Sequence, residues 1–364
     1  MSSRSWFSRA LLPWYRENQR PLPWRRTQEP YHIWLSEVIL QQTRVDQGTA
    51  YWHRFVERYP TVAHLAKASE DQVLRLWQGL GYYSRARNLR TAAQQVVKEH
   101  RGQFPADHAT LLKLKGVGDY TASAIASICF GKAEPVVDGN VYRVLARVFG
   151  IATPIDSTEG KKVFRSLAAE LIAKENPGDH NQAVMELGAT VCTPKNPRCG
   201  DCPLARKCIA KAEGRIAELP VKAGKTKTRT RHFNYLLIET KDGIYLRKRT
   251  GKDIWQGLWE LPMVETEKAL GPRQTPAISE STEPNSSVDP PGRPTSIYKG
   301  WRFLKRTSPV KHVLSHQIIH AVFWEAVPPI GFKPPKDWKP VPWKKIGAHA
   351  LPRLIERQLA ENRD

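Results

Sequence analysis

The stretch Leu114-Lys-Gly-Val-Gly-Asp-Tyr120 decides how this chain folds. It lies between two segments with helical spacing, Asp107 to Lys113 and Asp119 to Phe130. Gly116 and Gly118 allow positive φ and a close approach of backbone to a ligand. The helix that follows begins with unpaired N–H groups, which favour an anion. A helix, a hairpin and a helix in this order can grip DNA phosphates without reading sequence. An ordinary glycine-containing turn has the same local pattern, so the flanking residues must decide between the two.

Those flanks are helical. Tyr31, Trp34, Leu35, Val38 and Ile39 fall on one face at i, i+3, i+4, i+7 and i+8, and Val141, Val144, Leu145, Val148 and Phe149 repeat the pattern. Short Gly- and Pro-containing loops separate such stretches as far as residue 212. The character then changes. Residues 218–231 contain Pro220 and many Lys and Arg, and read as a basic extended linker. Strand-like runs follow at Phe233–Thr240, Gly243–Arg249 and Val310–Val327, with Asp242-Gly243 a hairpin turn between the first two. A Pro/Ser/Thr/Glu-rich insert at 266–300 interrupts them and reads as a flexible loop.

Lys and Arg outnumber Asp and Glu by 57 to 35, a formal net charge of +22. So large an excess points to a polyanionic partner, nucleic acid or an anionic membrane surface. No apolar run approaches the roughly 20 residues of a membrane span. Arg4, Arg9, Pro13 and Arg16 break the amino-terminal segment, which therefore does not read as a signal peptide. The expected setting is cytoplasmic and nucleoid-associated, without membrane contact.

Four of the five cysteines follow the spacing Cys192-x6-Cys199-x2-Cys202-x5-Cys208. Four thiolates so spaced can hold a tetrahedral zinc or an iron–sulfur cluster, and spacing alone leaves both open. Lys195, Arg198, Arg206 and Lys207 surround them with positive charge that suits phosphate contacts. Cys129 stands alone in Ala-Ser-Ile-Cys-Phe-Gly and reads as a small core hydrophobe. Two acidic residues are ordinary on their own. Asp138 in Val136-Val-Asp-Gly-Asn140 precedes an amphipathic helix, as an N-cap would. Glu37 lies on the flank of an apolar stripe, on the same side as Gln41.

Taken together, the motifs resemble the adenine DNA glycosylases (the MutY family) of the helix–hairpin–helix, endonuclease III superfamily. The resemblance runs from Leu22 to Leu219. It rests on Leu22-Pro-Trp-Arg25, Ser36-Glu-Val-Ile-Leu-Gln-Gln-Thr-Arg44, Gly79-Leu-Gly-Tyr-Tyr-Ser-Arg-Ala-Arg-Asn88, Leu114–Gly118, Val137-Asp-Gly-Asn-Val-Tyr-Arg143, Glu186-Leu-Gly-Ala-Thr-Val-Cys-Thr193 and the cysteine spacing. It implies a [4Fe–4S] cluster on Cys192, Cys199, Cys202 and Cys208. It implies an enzyme that removes adenine opposite 8-oxoguanine or guanine in double-stranded DNA, acting as a monomer.

Excision requires the base to leave the stack, and the bond breaks through an oxocarbenium-like sugar. By family likeness Glu37 protonates the adenine, and Asp138, oriented by Asn140, supports the sugar. Endonuclease III carries a lysine where Tyr120 stands; a phenol cannot form its Schiff base, so the resemblance implies excision without strand cleavage. Arg25, Gln182 and Glu186 match positions at the adenine pocket. Gln41, Gln42 and Tyr82 match residues that enter the duplex, and Gly116 and Gly118 those that contact phosphate.

The second half, through Gly243-Ile-Tyr-Leu-Arg-Lys-Arg249 and Gly257-Leu-Trp-Glu-Leu-Pro262, resembles a Nudix-like domain. Only Glu265 and Glu267 follow where a Nudix hydrolase needs an acidic metal-binding helix. The domain therefore reads as a non-hydrolytic reader of oxidised guanine, with Ser315 and His316 as its contacts. Leu314 replaces the family's aromatic. The expected architecture is a mainly α amino-terminal part and an α+β carboxy-terminal domain. A cluster module takes 1–28 and 136–217, a six-helix barrel 29–135, the linker 218–231, and the Nudix-like domain 232–364.

Overall fold

The computed structural model describes residues 5–224, 228–271, 274–276 and 300–361. Most of the expected 266–300 insert and residues 225–227 of the expected linker lie outside these. The helical part contains α1 (Trp6–Asn18), α2 (Pro30–Leu40), α3 (Val45–Arg58), α4 (Val62–Lys67), α5 (Glu70–Trp77), α6 (Ser84–His100), α7 (His108–Leu111), α8 (Asp119–Phe130), α9 (Gly139–Phe149), α10 (Thr158–Leu171), α11 (Pro177–Thr190) and α12 (Ile209–Ala212). Among the described residues no helix is long and apolar enough to cross a membrane.

Local chemistry sets the ends of these helices. Pro30 opens α2, and the Glu29 carboxylate accepts from the Tyr31 N–H at 2.7 Å. Ser69 and Gln72 cap α5 reciprocally. Gly131 and Gly150, both with positive φ, end α8 and α9. The apolar stripe expected on α2 is buried, and Ile33 and Ser36 are buried with it. That follows from position: α2 packs on both α3 and α8.

α11 packs on α1, α8 and α9. Phe7 and Leu11 of α1 share one core with Val144 and Leu145 of α9, Phe164 of α10 and Leu187 of α11. The first helix thus closes on the last ones, although more than a hundred residues separate them in sequence.

The hairpin departs from its reading in two respects. α7 stops at Leu111, capped by Asp107, and residues 112–115 form turns. Only Gly116 takes positive φ, at 78°. A Cβ there would lie 2.6 Å from the Asn88 Cβ, so residue 116 has to be glycine on two counts. Gly118 is the N-cap of α8 with φ −95°, and the space beside it is open.

Met1–Lys67 with Asn88–Lys225 form one compact unit, and Ala68–Arg87 with Thr226–Asp364 a second. This grouping departs from the sequence-drawn boundaries, because α5 and the residues after it engage the second unit. Lys248 Nζ lies 2.6 Å from Asp71 Oδ1, Arg87 Nη2 donates to Gln256 Oε1 at 3.0 Å, and the Leu351 N–H donates to Gln78 Oε1 at 3.3 Å.

The rest of the second unit holds β1 (Arg229–Leu237), β2 (Gly243–Lys248), β3 (Trp259–Glu260), β4 (Met263–Thr266), β5 (Arg302–Arg306), β6 (Val310–Val313), β7 (Gln317–Val327), β8 (Trp338–Pro342) and α13 (Arg353–Glu361). One sheet runs β4-β1-β7-β5, with β6 also on β7; the other runs β3-β2-β8. β1 and β7 are parallel, paired from Arg229↔Gln317 to Leu237↔Glu325. The hairpin at Asp242-Gly243 forms at its tip, where Glu239 bridges Ile244 and the Tyr245 N–H donates to the Ile238 carbonyl at 3.1 Å; beyond it β1 and β2 part into different sheets. Gly243 fits so tightly against β8 that a Cβ would lie 2.0 Å from the Val341 carbonyl, so β2 is drawn to β8. The run 310–327 is two strands joined by a turn at 314–316. The linker is anchored where it is described: Ala223 and Gly224 N–H groups donate to Asp156, and Arg229–Arg231 already belong to β1.

Gly116→Ala should destabilise the protein by about 1–2 kcal/mol or more, since it adds left-handed strain to a collision. Gly118→Ala should stay within about 0.5 kcal/mol of the parent. Denaturant unfolding of the two variants checks the contrast, and equal losses would contradict it.

Candidate active site

Asp138 caps α9. Its Oδ1 accepts from the Val141 N–H at 2.7 Å and its Oδ2 from the Asn140 side chain at 2.8 Å. Asn140 is held in turn by Arg143, whose Nη2 donates to Asn140 Oδ1 at 2.8 Å. The same guanidinium donates to the carbonyls of Gly188 at 2.6 Å and Cys192 at 2.6 Å. Gly188 is a requirement of this packing: a Cβ there would lie 2.6 Å from the Asn140 Cβ. Burial raises the Asp138 pKa above the usual carboxylate range, against the opposing pull of its donors and the Arg143 charge.

Glu37 projects from α2 towards Tyr120 at the start of α8. Glu37 is partly exposed as a residue, but its carboxyl end is enclosed. Burial pushes that carboxyl up to about 7; the Tyr120 hydroxyl and Arg25 favour the anion, and Asp138 opposes it. Burial holds the Tyr120 phenol well above its ordinary value, reinforced by Glu37 and Asp138. The Tyr120 hydroxyl also lies 3.4 Å from the thioether sulfur of Met185, on α11. The fold therefore brings Glu37, Tyr120 and Asp138 within reach of one another's charge from three separate elements. A carboxyl that keeps its proton to near neutral pH, beside a hydrogen-bonded carboxylate, is the asymmetry that acid-assisted bond cleavage needs.

Glu186 is the anchor of an ion-pair clamp beside the expected pocket residue Arg25. It is fully buried, with a relative exposure of 0%. Arg20 Nε lies 2.8 Å from Oε1 and Arg25 Nη2 lies 2.7 Å from Oε2. Burial alone would raise its pKa, but the two guanidinium groups outweigh it and hold the carboxyl down at about 2. Arg25 is committed to this clamp and stacks over the Tyr15 ring, while its charge still reaches Glu37. Gln182, four residues before Glu186, is partly exposed on α11. Gln41 ends α2, its Nε2 3.4 Å from Thr121 Oγ1, and Gln42 has a left-handed φ of 58°.

All four clustered cysteines line one cavity, with Val144, Val148, Leu187 and Arg198 among its other walls. Burial pushes the Cys202 thiol up to about 11, and the other three cysteines add to the shift, so their sulfurs are mutual neighbours. Arg147, buried on α9, donates to the Thr193 carbonyl at 2.8 Å and lies 3.5 Å from Cys192 Sγ. Among the described residues no three His, Cys, Asp or Glu side chains close on a single-ion position.

In the second unit, the Tyr82 hydroxyl and Ser315 Oγ hydrogen bond. Tyr82 has φ 45° and remains 42% exposed. Ser315 and His316 are exposed on the turn between β6 and β7. Glu265 lies in β4, not in a helix, and is paired with Arg231 at 2.6 Å. Arg20, Arg143, Arg147 and Met185 escaped sequence reasoning. A signal existed for two of them: Arg143 and Arg147 are charges one turn apart on an otherwise apolar helix.

Residues 35–171 match the HhH-GPD superfamily of base excision DNA repair proteins, and residues 234–361 match the NUDIX domain. An adenine DNA glycosylase of Buchnera aphidicola subsp. Schizaphis graminum is 38% identical over 264 residues, covering 71% of this chain and 75% of the relative. The chain belongs to the adenine DNA glycosylase family. The human adenine DNA glycosylase is 48% identical over 214 residues, 56% of this chain and 39% of the human protein. The structure of a thermostable thymine-DNA glycosylase superposes with a TM-score of 0.54 at 27% identity, covering 58% of this chain and 97% of that one. A non-covalent endonuclease III–DNA complex gives a TM-score of 0.50 at 23% identity, over 59% of this chain and 99% of that one, and so shares the helical fold. This family member is a DNA glycosylase of base excision repair.

The raised Glu37 pKa has a cost in stability. Its folded value, about 7, exceeds the ordinary 4.5, so the folded state holds the proton more tightly between those values. Stability is therefore lost as pH rises from about 4.5 through about 7. Glu37→Gln should melt a few degrees higher than the parent at pH 8, with the gain gone at pH 4. Thermal unfolding across that range checks it; a gain independent of pH would contradict the sign.

Proposed function

We propose that this glycosylase removes adenine mispaired with 8-oxoguanine or guanine by hydrolysing the N-glycosidic bond of a flipped-out nucleotide in double-stranded DNA. It acts as a monomer. The observation that supports this most is the grouping of Glu37, Tyr120 and Asp138 on α2, α8 and the cap of α9. Glu37 protonates the adenine ring, so the base leaves as a neutral molecule. The Asp138 carboxylate, held by Val141 and Asn140, faces the positive charge that develops on the sugar. Glu37, now ionised, takes a proton from the water that adds to the sugar. Tyr120 offers a hydroxyl rather than an amine, so no Schiff base forms and the strand stays intact.

Gln182 and Arg25 border the adenine site, and Gln41, Gln42 and Tyr82 enter the duplex. The left-handed backbone at Gln42 and Tyr82 supports this role, since strain of that kind gathers at working residues. Ser315 and His316 read the oxidised guanine, and the Tyr82–Ser315 hydrogen bond links that turn to the inserted aromatic. Gly116 and Gly118 approach phosphate, Gly118 through the open space beside it. The family likeness and the cavity that all four cysteines line support a [4Fe–4S] cluster on Cys192, Cys199, Cys202 and Cys208. When bound, such a cluster ties the basic cysteine loop to α9 and α11.

Single-turnover cleavage of an adenine:8-oxoguanine duplex, read after alkali, tests the proposal. The parent should give product, and Glu37→Gln should lose at least about 100-fold. Borohydride should trap almost no covalent protein–DNA adduct. Absence of product would favour a silent lesion-binding protein, while efficient trapping would favour an endonuclease III-like lyase.

A further inference from the structure

The Tyr120 hydroxyl has one proton and two neighbours that can accept it, the Glu37 carboxylate and the Met185 sulfur. These neighbours are unequal. A carboxylate is a strong acceptor and a thioether a weak one. When Glu37 is ionised, the phenol donates to it. When Glu37 is protonated, its own O–H needs an acceptor in an enclosed space, and the phenol oxygen is at hand. That oxygen accepts best when its own proton points elsewhere. Met185, 3.4 Å away on α11, supplies the alternative.

We infer that Met185 is a positioning residue for the acid step: its sulfur receives the Tyr120 proton whenever Glu37 carries its own, and so stabilises the protonated acid. In the switch Glu37 gains one proton from solution and Tyr120 keeps its own; the phenol O–H turns from the carboxylate to the sulfur as the new Glu37 O–H turns to the phenol oxygen. The inference rests on Glu37 being the acid.

The surroundings agree. The charged and titratable groups acting on Glu37 are Tyr120 from α8, Asp138 from the α9 cap and Arg25 from the segment before α2; Glu37 in turn acts on Cys129 of α8. Asp138 acts on the phenol through its charge, while its oxygens are oriented by Asn140 and Val141. Met185 neighbours Glu186, whose clamp by Arg20 and Arg25 fixes this turn of α11. The clamp thereby steadies the stretch of α11 from which Met185 projects.

The test is the pH dependence of single-turnover adenine excision for Met185→Leu, Met185→Gln and each in a Tyr120→Phe background. Leu keeps similar volume and removes the acceptor. Its upper-pH midpoint should fall by about half a unit, with roughly threefold slower excision above that midpoint. Gln restores an acceptor at similar reach and should hold the midpoint at or above the parent value. Neither substitution should move the midpoint once Tyr120 is Phe. Identical profiles for Leu, Gln and parent would overturn the inference, as would a Leu shift that survives in Tyr120→Phe. Retained activity in Glu37→Gln would instead overturn the proposed role of Glu37, so the two failures are distinguishable.

Discussion

The site depends on one buried guanidinium. Arg143 reaches across from α9 to the carbonyls of Gly188 on α11 and Cys192 at the mouth of the cysteine loop, and it holds the side chain of Asn140. A buried cation is costly unless its donors are satisfied, and here carbonyl and amide oxygens satisfy them. The consequence is mechanical. Asn140 cannot turn without stranding the charge, and Asp138 cannot turn without losing Asn140. The cysteine loop, the scaffold helix and the Asp138 carboxylate are thereby tied to one rigid group.

Asp138 consequently serves two purposes. As a helix cap it contributes about 1 kcal/mol to α9. The same donors, the Val141 N–H and Asn140 amide, resist the effect of burial on its ionisation. Glu37 is raised by burial too, but its polar partners differ: a phenol and Arg25 favour its anion, where Asp138 has two direct donors and Arg143. Glu186 is the contrary case, a buried carboxylate between two arginines that is held down at about 2 while burial raises both Glu37 and Asp138.

The second unit shows where local reading fails. The hairpin tip at Asp242-Gly243 was legible, but the main partners of its two strands were not. β1 finds a parallel partner in β7, more than eighty residues away, and no local pattern records that preference. The grouping of Ala68–Arg87 with the second unit is equally non-local. It rests on single contacts such as Lys248 with Asp71, between residues that look like solvated charges in sequence.

The chain by itself determined the helical stripes, the cap at Asp138, the Gly116 turn and the cysteine set. Each depends on residues a few positions apart, where periodicity and backbone preference act. It also marked Glu37, Tyr120 and Asp138 as members of a recognisable pattern and implied their roles by likeness, but not the surroundings that set their protonation. Only the tertiary structure decided that Glu37 holds its proton towards neutral pH, that Glu186 is locked in an ion pair, and that Tyr82 meets Ser315. Protonation follows burial and neighbouring charge, and both arise only when distant elements pack together.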